Sequence, residues 1–190
     1  MDTLRRSAFI GLTALGAALA LSACSSAGVT SDQAKTSVTQ AVAAIGLAES
    51  STSGVAISID AEGTRGWDID VATNGEVSEV RVNLEGTTIT STRADGRLDV
   101  DDRLRLEAAT VTLAEAITTA SGEVVGTLTE AELDRFLATS VVWTVTFEDG
   151  TNDIEVSVDV ATGKVVNGEY SHCIVAIGIG HCLHQGQHTA

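Results

Sequence analysis

The sequence repeats itself after a shift of 76 residues, and this self-similarity limits what the chain can fold into. The matched positions carry similar residues: Trp67 and Trp143, Ile69 and Val145, Glu79-Val80 and Glu155-Val156, Asn83 and Asp159. The interval from tryptophan to glutamate is 12 residues in both copies. A repeat of this length holds several secondary-structure elements, so the pattern predicts two copies of one small folding unit.

The first copy begins with a predicted helix over residues 32–46. Thr30 and Gln33 form a capping box. Apolar residues then recur at steps of three and four until Gly46, where we expect the helix to end. Three stretches of alternating apolar residues follow and predict three strands, which contain Val55–Ile59, Trp67–Val71 and Val77–Leu84. Asn74-Gly75 predicts a tight hairpin turn between the second and third of these strands.

The second copy again begins with a capping box, formed by Thr112 and Glu115 ahead of an apolar helical pattern. Residues 122–140 carry conflicting signals. Thr127 and Glu130 form a further capping box that favours a short helix, whereas alternation from Val125 onward favours a strand. We predict a strand, because the repeat aligns this stretch with the first strand of the first copy and tertiary context commonly overrides propensity.

These patterns predict an α+β fold of two tandem αβββ units, each a helix packed on a three-stranded antiparallel sheet. The units cover residues 32–90 and 111–166, and residues 91–110 form a charged linker that is partly helical. Within the linker, Asp99-Val100-Asp101-Asp102 lacks the oxygen spacing of a calcium loop, so we interpret it as acidic linker. The chain has no proline and few aromatic residues, so its cores must consist of Val, Ile, Leu and Ala.

The net charge of −15 excludes whole classes of partner. Nucleic-acid binding requires a basic surface that neutralises phosphates, and adsorption on anionic lipid requires the same. The sequence therefore predicts no nucleic-acid partner and no membrane contact through charge.

The first 23 residues are typical of an export signal. Arg5 and Arg6 precede an uncharged stretch from Ser7 to Ala23. The stretch ends in Leu21-Ser22-Ala23-Cys24, which resembles the lipobox of bacterial lipoproteins. That resemblance implies cleavage between Ala23 and Cys24, acylation of Cys24 and an extracytoplasmic protein anchored to the cell membrane. The alternative is an ordinary secretory signal with an incidental cysteine. Residues 24–31 then form a small, polar tether.

The carboxy-terminal residues 167–190 form a tail rich in cysteine, histidine and apolar residues. Cys173 and Cys182 remain as a pair once Cys24 is acylated, and in an oxidising compartment the first interpretation is a disulfide. A zinc site formed by Cys173, Cys182, His184 and His188 is an alternative, although Gly186 disfavours the helix that it needs. The third interpretation is a disordered tail, or a tail produced by a shifted reading frame.

The second copy resembles the PepSY family, and Val158-Asp159-Val160-Ala161-Thr162-Gly163-Lys164-Val165 is similar to that family's closing signature. The resemblance covers about residues 111–166, while the first copy is a degenerate relative with Asn83-Leu84-Glu85-Gly86 at the signature position. It implies a small α+β domain of bacterial envelope proteins and of some peptidase propeptides, with a role in peptidase regulation and no agreed catalytic residues.

The residues themselves favour a non-enzyme without a cofactor. All four histidines lie in the tail, so neither repeat has a histidine base. Trp67 and Trp143 are predicted to lie in the core, and Asp159 and Gly163 are predicted to form a turn. We expect an interaction module that binds or restrains a peptidase or binds an extended peptide along a sheet edge. The alternative is a passive, small-ligand-sensing or metal-sensing envelope lipoprotein.

Overall fold

The computed structural model describes residues 28–136 and 140–169, and within them eight strands form one antiparallel sheet. The strand order is β4-β3-β2-β1-β5-β6-β7-β8, and helices pack against the sheet. The elements, in chain order, are α1 (Ser31–Thr52), β1 (Val55–Ala61), β2 (Trp67–Thr73), β3 (Glu76–Val82), β4 (Ile89–Arg97), α2 (Val100–Ala108), α3 (Leu113–Ala120), β5 (Thr127–Phe136), β6 (Ser140–Asp149), β7 (Asn152–Asp159) and β8 (Val165–Glu169). The predicted α+β class is confirmed.

The two halves of the chain share this sheet instead of forming separate three-stranded ones. Each half contributes four strands, and the halves meet where β1 pairs with β5, with Ile59 opposite Ala131 and Asp60 opposite Glu130. The strands that the sequence did not predict are β4 and β8, which form the two edges. β4 is exposed along most of its length and lacks the apolar alternation that reveals a half-buried strand.

Helix α1 begins as predicted and ends later than predicted. Thr30 accepts a hydrogen bond from the Gln33 amide at 3.3 Å, and the Gln33 side chain accepts one from the Thr30 amide at 3.0 Å. The prediction that Gly46 ends the helix is wrong, because α1 continues to Thr52 and closes with Ser53 at a φ of 55°. Burial of Ala48 on the next turn extends the apolar face and offsets the helical cost of a glycine, about 1 kcal/mol.

The segment with conflicting signals is strand β5, which confirms the strand prediction. β5 pairs with β1 on one side and with β6 on the other. Its backbone groups therefore form more hydrogen bonds in the sheet than they would form within a short helix. The Leu128 amide instead donates to the buried Ser37 hydroxyl of α1 at 3.2 Å. Tertiary pairing therefore decides between two locally reasonable structures.

The charged segment 91–110 is ordered by the structure around it. Its first part belongs to β4, and its second part forms α2, whose first turn is capped by Asp99 accepting from the Asp101 amide at 2.6 Å. Arg135 of β5 donates to Asp101 at 2.7 Å and ties α2 to the sheet. The aspartates that we interpreted as acidic linker thus begin a helix.

Both tryptophans lie in the apolar core, as predicted. Trp67 is 1% exposed and Trp143 is fully buried. The Trp67 indole donates to the Leu84 carbonyl at 3.0 Å, and the Trp143 indole donates to the Val111 carbonyl at 2.8 Å. Each indole therefore keeps its polar atom satisfied while its rings fill space beneath the helices.

Candidate functional site

The face of the sheet opposite α1 and α3, here called the open face, is polar. Successive side chains of a strand point to opposite faces, so the burial of Trp67, Ile69 and Val71 turns Asp68 and Asp70 outward. The same alternation on β5 buries Ala131 and Leu133 and turns outward the carboxylates Glu130, Glu132 and Asp134. The open face is thus made by strands from both halves of the chain.

Strand register concentrates carboxylates where β1 meets β5. Asp60 lies opposite Glu130 of β5 on one side and opposite Asp68 of β2 on the other. Ser58 lies opposite both Glu132 and Asp70 in the same way. We call these five carboxylates the acidic seam: Asp60, Asp68, Asp70, Glu130 and Glu132. Like charges directly opposite one another on adjacent strands are destabilising, so this arrangement is not explained by stability.

The pKa values of Asp60, Asp70 and Glu132 are raised, chiefly by burial and further by neighbouring negative charges. Partial burial raises the pKa of Asp60 to about 6 from an ordinary 3.8, with further contributions from the charges of Glu130, Asp70, Asp68 and Glu62. Burial also raises the pKa of Asp70, although the Ser58 hydroxyl, which donates to Asp70 at 3.2 Å, opposes the change. Burial and then the Glu130 charge raise the pKa of Glu132. The seam therefore favours any change that removes or neutralises negative charge.

Arginines neutralise the open face on one side only. Arg81 pairs with Asp68, and Arg93 of β4 pairs with Glu79. Among the described residues, neither pair reaches Asp60, Glu130 or Glu132, and no ion pair involves these three. The other side of the seam carries Thr144 and Thr146 of β6, opposite Glu132 and Glu130. The centre of the open face thus keeps an uncompensated negative charge.

A cavity of about 340 Å³ lies at the end of the acidic seam, beside α2. Its walls include Asp70 and Glu132 from the seam, Asp134 from β5, and Asp102 and Arg105 from α2. Arg105 donates to Asp102 at 2.8 Å, while its buried Nε has no hydrogen-bond partner within the described part of the chain. The cavity is large enough for a charged side chain from outside, and its carboxylates select a cationic one.

The carboxylates of the acidic seam do not converge on one point. Within residues 28–136 and 140–169, no group of three or more Asp, Glu, His or Cys side chains is arranged to bind a metal ion. The carboxylates are spread along a sheet surface instead of converging on one point, and this spread suits an extended cationic partner better than a single ion.

The edge strands are poor sites for an additional strand. β4 has register shifts near both ends, and Arg93, Asp95 and Arg97 interrupt its exposed surface. β8 has a register shift in its pairing with β7. Bulges and charges are devices by which natural edges prevent pairing with other chains. The structure therefore disfavours the edge as the binding surface and leaves the open face.

The remaining residues singled out in the sequence have structural roles or lie outside the described residues. The Asp159 side chain accepts hydrogen bonds from the Ala161 and Thr162 amides at 3.2 and 2.8 Å, and Gly163 has a φ of 68°, as a turn requires. Bonds from Thr162 and Ala161 lower the pKa of Asp159. The sites predicted near the two ends of the chain, at Ala23, Cys24, Cys173, Cys182, His184 and His188, all lie outside the described residues.

Comparison with protein families agrees with the resemblance seen in the sequence. The family model "Peptidase propeptide and YPEB domain", PepSY, matches residues 110–169. These residues are a PepSY domain. The PepSY domain comprises α3 and β5–β8 and supplies Glu130 and Glu132 to the acidic seam. The match covers the second unit, so the assignment of the first unit as a degenerate copy stays a prediction.

No curated protein matches this sequence. Among solved structures, a "putative lipoprotein" from Clostridium difficile 630 resembles the chain at 18% identity with a TM-score of 0.43, over 66% of this chain and 89% of that one. Similarity at this level supports no inference about fold or function. In the described part of the chain, no helix has the length and apolar character needed to cross a membrane.

The acidic seam is the feature that sequence reasoning missed. The seam depends on β1 pairing with β5, and these strands are about seventy residues apart in the sequence. The available signal was the excess of Asp and Glu at outward positions of both strands. It could not show that the two sets lie side by side.

Proposed function

We propose that this protein is a non-catalytic interaction module of the PepSY type that binds a basic segment of a protein partner on its open face. The acidic seam carries the proposal. Asp60 and Glu130 face each other without a cation, and partial burial, with repulsion from Glu130 added to it, raises the pKa of Asp60 to about 6. A lysine or arginine placed between them replaces this repulsion with two attractions.

The partner is a peptidase in this proposal. The PepSY family takes its description from peptidase propeptides, and residues 110–169 match it. Propeptide-like modules act by occupying a surface of the enzyme and need no catalytic group of their own. A long acidic face suits a basic surface patch of such an enzyme, and long-range attraction would mainly increase the rate of association.

The module is held outside the cytoplasm by lipidated Cys24 in this proposal. Two acyl chains on one residue give stable membrane attachment where one chain is marginal. The Val29 amide donates to Asp149 at 3.0 Å, so the chain is fixed to the domain five residues after Cys24. At about 3.5 Å per residue, the segment from Cys24 to Val29 spans at most about 17 Å. The domain therefore sits close to the membrane surface, where it meets other envelope proteins.

Lipidation is tested separately from binding. Cells that express the wild type or the Cys24→Ser variant are grown with labelled palmitate, and membrane and soluble fractions are compared. We expect the label on the wild type and its loss, together with release from membranes, in the variant. Labelling of the Cys24→Ser protein would show that the anchor has been assigned wrongly.

The disulfide between Cys173 and Cys182 stays part of the proposal, because nothing in the described residues tests it. Mass spectrometry of the non-reduced mature protein distinguishes a bridge from two free thiols. Zinc at one atom per chain in the same sample would support the metal alternative instead.

Binding on the open face is tested by charge removal at constant shape. The double variant Asp60→Asn, Glu130→Gln removes two charges from the acidic seam. The control Glu85→Gln, Glu107→Gln removes two charges at exposed positions outside it. An oligo-arginine peptide serves as a defined probe at low salt. We expect the seam variant to bind it about tenfold more weakly, since two partly exposed ion pairs are each worth up to about 1 kcal/mol. Equal weakening by the control would show that only net charge matters.

The peptidase assignment requires the native envelope. The wild type and both double variants are crosslinked in cells of the source organism, and captured proteins are identified and assayed for proteolysis. Recovery of a peptidase by the wild type and the control, but not by the seam variant, supports the proposal. Repeated capture of no peptidase, with secreted proteolysis unchanged on deletion of the gene, contradicts it. Binding of a small metabolite or metal by the purified protein would favour the sensing alternative.

A further inference from the structure

Helix α2 crosses one end of the sheet, and the chain is fixed on both sides of it. Before the helix, the Leu98 amide donates to the Gly75 carbonyl in the β2–β3 turn at 3.0 Å. After the helix, the Thr110 amide donates to the Val160 carbonyl, just beyond β7, at 2.9 Å. Both bonds lie at the same end of the sheet, because neighbouring strands run antiparallel. α2 therefore passes the ends of β1 and β5, where the acidic cavity lies.

α2 itself is lightly packed. None of its residues is buried, and Leu106 is the α2 side chain that packs partly against the core, while Val100 and Leu104 are more than half exposed. The ion pair that ties α2 to β5, between Asp101 and Arg135, has side chains that are 59% and 50% exposed. A short helix with so little buried surface opens more easily than the sheet beneath it. α2 can thus leave the sheet while its flanks stay attached.

Arg105 brings a cation from α2 into the acidic cavity. Its side chain is 21% exposed and shares the cavity with four carboxylates, those of Asp70, Asp102, Glu132 and Asp134. It donates to Asp102 of its own helix at 2.8 Å, and among the described residues it forms no ion pair with the other three. A guanidinium is held firmly when two of its N–H groups bind one carboxylate. Arg105 therefore occupies the cavity without being locked in it.

We propose that α2 is an autoinhibitory strap, which places Arg105 where a cation of the partner otherwise binds. This inference rests on the proposed function, because it concerns access to the same open face. When α2 lifts, Arg105 withdraws, and Asp70, Glu132 and Asp134 become available to the basic segment. The bonds that flank α2 keep it attached, so Arg105 returns at a high effective concentration once the partner leaves. The strap thus excludes ligands that cannot compete with an arginine already in place.

Removal of the Arg105 charge tests this competition. The full mature chain is kept in a nonionic detergent, and the Kd for the oligo-arginine peptide is measured at low salt. Arg105→Gln should lower the Kd about tenfold, the change expected if α2 leaves the cavity open in about one wild-type molecule in ten. Arg103→Gln is the matched control, because it removes the same charge from the same helix at a side chain that is 55% exposed and outside the cavity lining. Its Kd should stay within about twofold of the wild-type value.

Asp101→Asn tests the strap with a charge change of the opposite sign. It removes the tie between α2 and Arg135 and keeps Arg105 in place. Because the variant is less acidic, general attraction alone predicts weaker binding of a basic peptide, whereas release of α2 predicts tighter binding. We expect a Kd about threefold lower, as the loss of one exposed ion pair allows. Glu107→Gln removes the same charge from an α2 side chain that is 65% exposed, and it should bind the peptide no more tightly than the wild type.

Hydrogen exchange followed by mass spectrometry measures whether α2 moves. Addition of the peptide to the wild type should increase the exchange of the amides of residues 100–108, while the paired amides of β6 should not change. Slower exchange in α2 would show that the helix closes over the partner, and this result would overturn the strap.

The outcomes distinguish this inference from the proposed function. If the wild type binds the peptide through the acidic seam, but Arg105→Gln binds no more tightly than Arg103→Gln, the strap is wrong and the proposed function stands. If neither the wild type nor Arg105→Gln binds the peptide, both are wrong. Where Arg105→Gln fails to fold, tighter binding by Asp101→Asn than by Glu107→Gln, with faster exchange in α2, supports the strap, and the reverse order of affinities overturns it.

Discussion

Replacement of Asp60 by asparagine should stabilise this protein at neutral pH and leave it nearly unchanged at pH 4. The side chain lies opposite Glu130 and Asp68, and it gains no ion pair within the described part of the chain. Asparagine keeps the shape and removes the charge. A surface carboxylate whose removal increases the free energy of unfolding is uncommon, because most substitutions destabilise.

The magnitude follows from the pKa of Asp60. A rise from 3.8 to about 6 corresponds to about 3 kcal/mol if fully expressed. The carboxylate is partly buried, yet the residue keeps more than a third of its surface exposed. Solvent screening therefore favours a smaller value, about 1 kcal/mol. The folded state holds the Asp60 proton more tightly than the unfolded state does. The contribution of Asp60 to the free energy of unfolding is therefore fully present below about pH 3.8 and is lost as pH rises through about 6.

Urea unfolding followed by tryptophan fluorescence measures this effect, since Trp67 and Trp143 are both buried. The difference in unfolding free energy between the Asp60→Asn variant and the wild type should grow from near zero at pH 4 to about 1 kcal/mol at pH 7.5, and high salt should reduce it. Glu107→Gln is the control and should show no such growth. A variant that is equally destabilised at both pH values would refute the reasoning, because lost hydrogen bonding rather than relieved repulsion would then dominate.

Two further substitutions, one of them with a matched control, test a close backbone approach in the first half and a hydrogen bond between the halves. Gly66→Ala should cost about 3 kcal/mol or more in thermal unfolding, because Gly66 has a φ of 110° and a Cβ there would collide with the Val82 carbonyl oxygen. Gly63→Ala, at a φ of 59° with nothing within 4 Å, should cost only about 1 kcal/mol; equal costs would contradict the steric argument. Ser37→Ala removes the acceptor of the buried Leu128 amide and should cost about 1–3 kcal/mol by urea unfolding, and no loss would show that this amide finds another partner.

Local signals in the sequence predicted the elements whose physics is local. The capping boxes at Thr30 and Thr112 form as the residue spacing indicates. Asn74 and Gly75 both adopt positive φ, 52° and 83°, as the hairpin prediction requires. These features depend on a few neighbouring residues, so the sequence specifies them without knowledge of the rest of the chain.

Elements whose stability depends on distant partners could not be predicted in the same way. β4 has no apolar alternation, and its backbone hydrogen bonds to β3 define it as a strand. The helix signal at Thr127 yields to pairing of β5 with two neighbours. Gly46 is a poor helix former, yet α1 passes through it because Ala48 is buried on the next turn.

Local patterns in the sequence are sufficient to predict the α+β class, the starts of α1 and α3, the buried tryptophans and the family resemblance over the second unit. They do not show that the two units share one sheet, because β1 and β5 pair across about seventy residues and no local pattern records that pairing. The same pairing places Asp60 beside Glu130 and thereby creates the acidic seam. Carboxylates that are ordinary surface residues in the sequence become a site only because strand register brings their charges together.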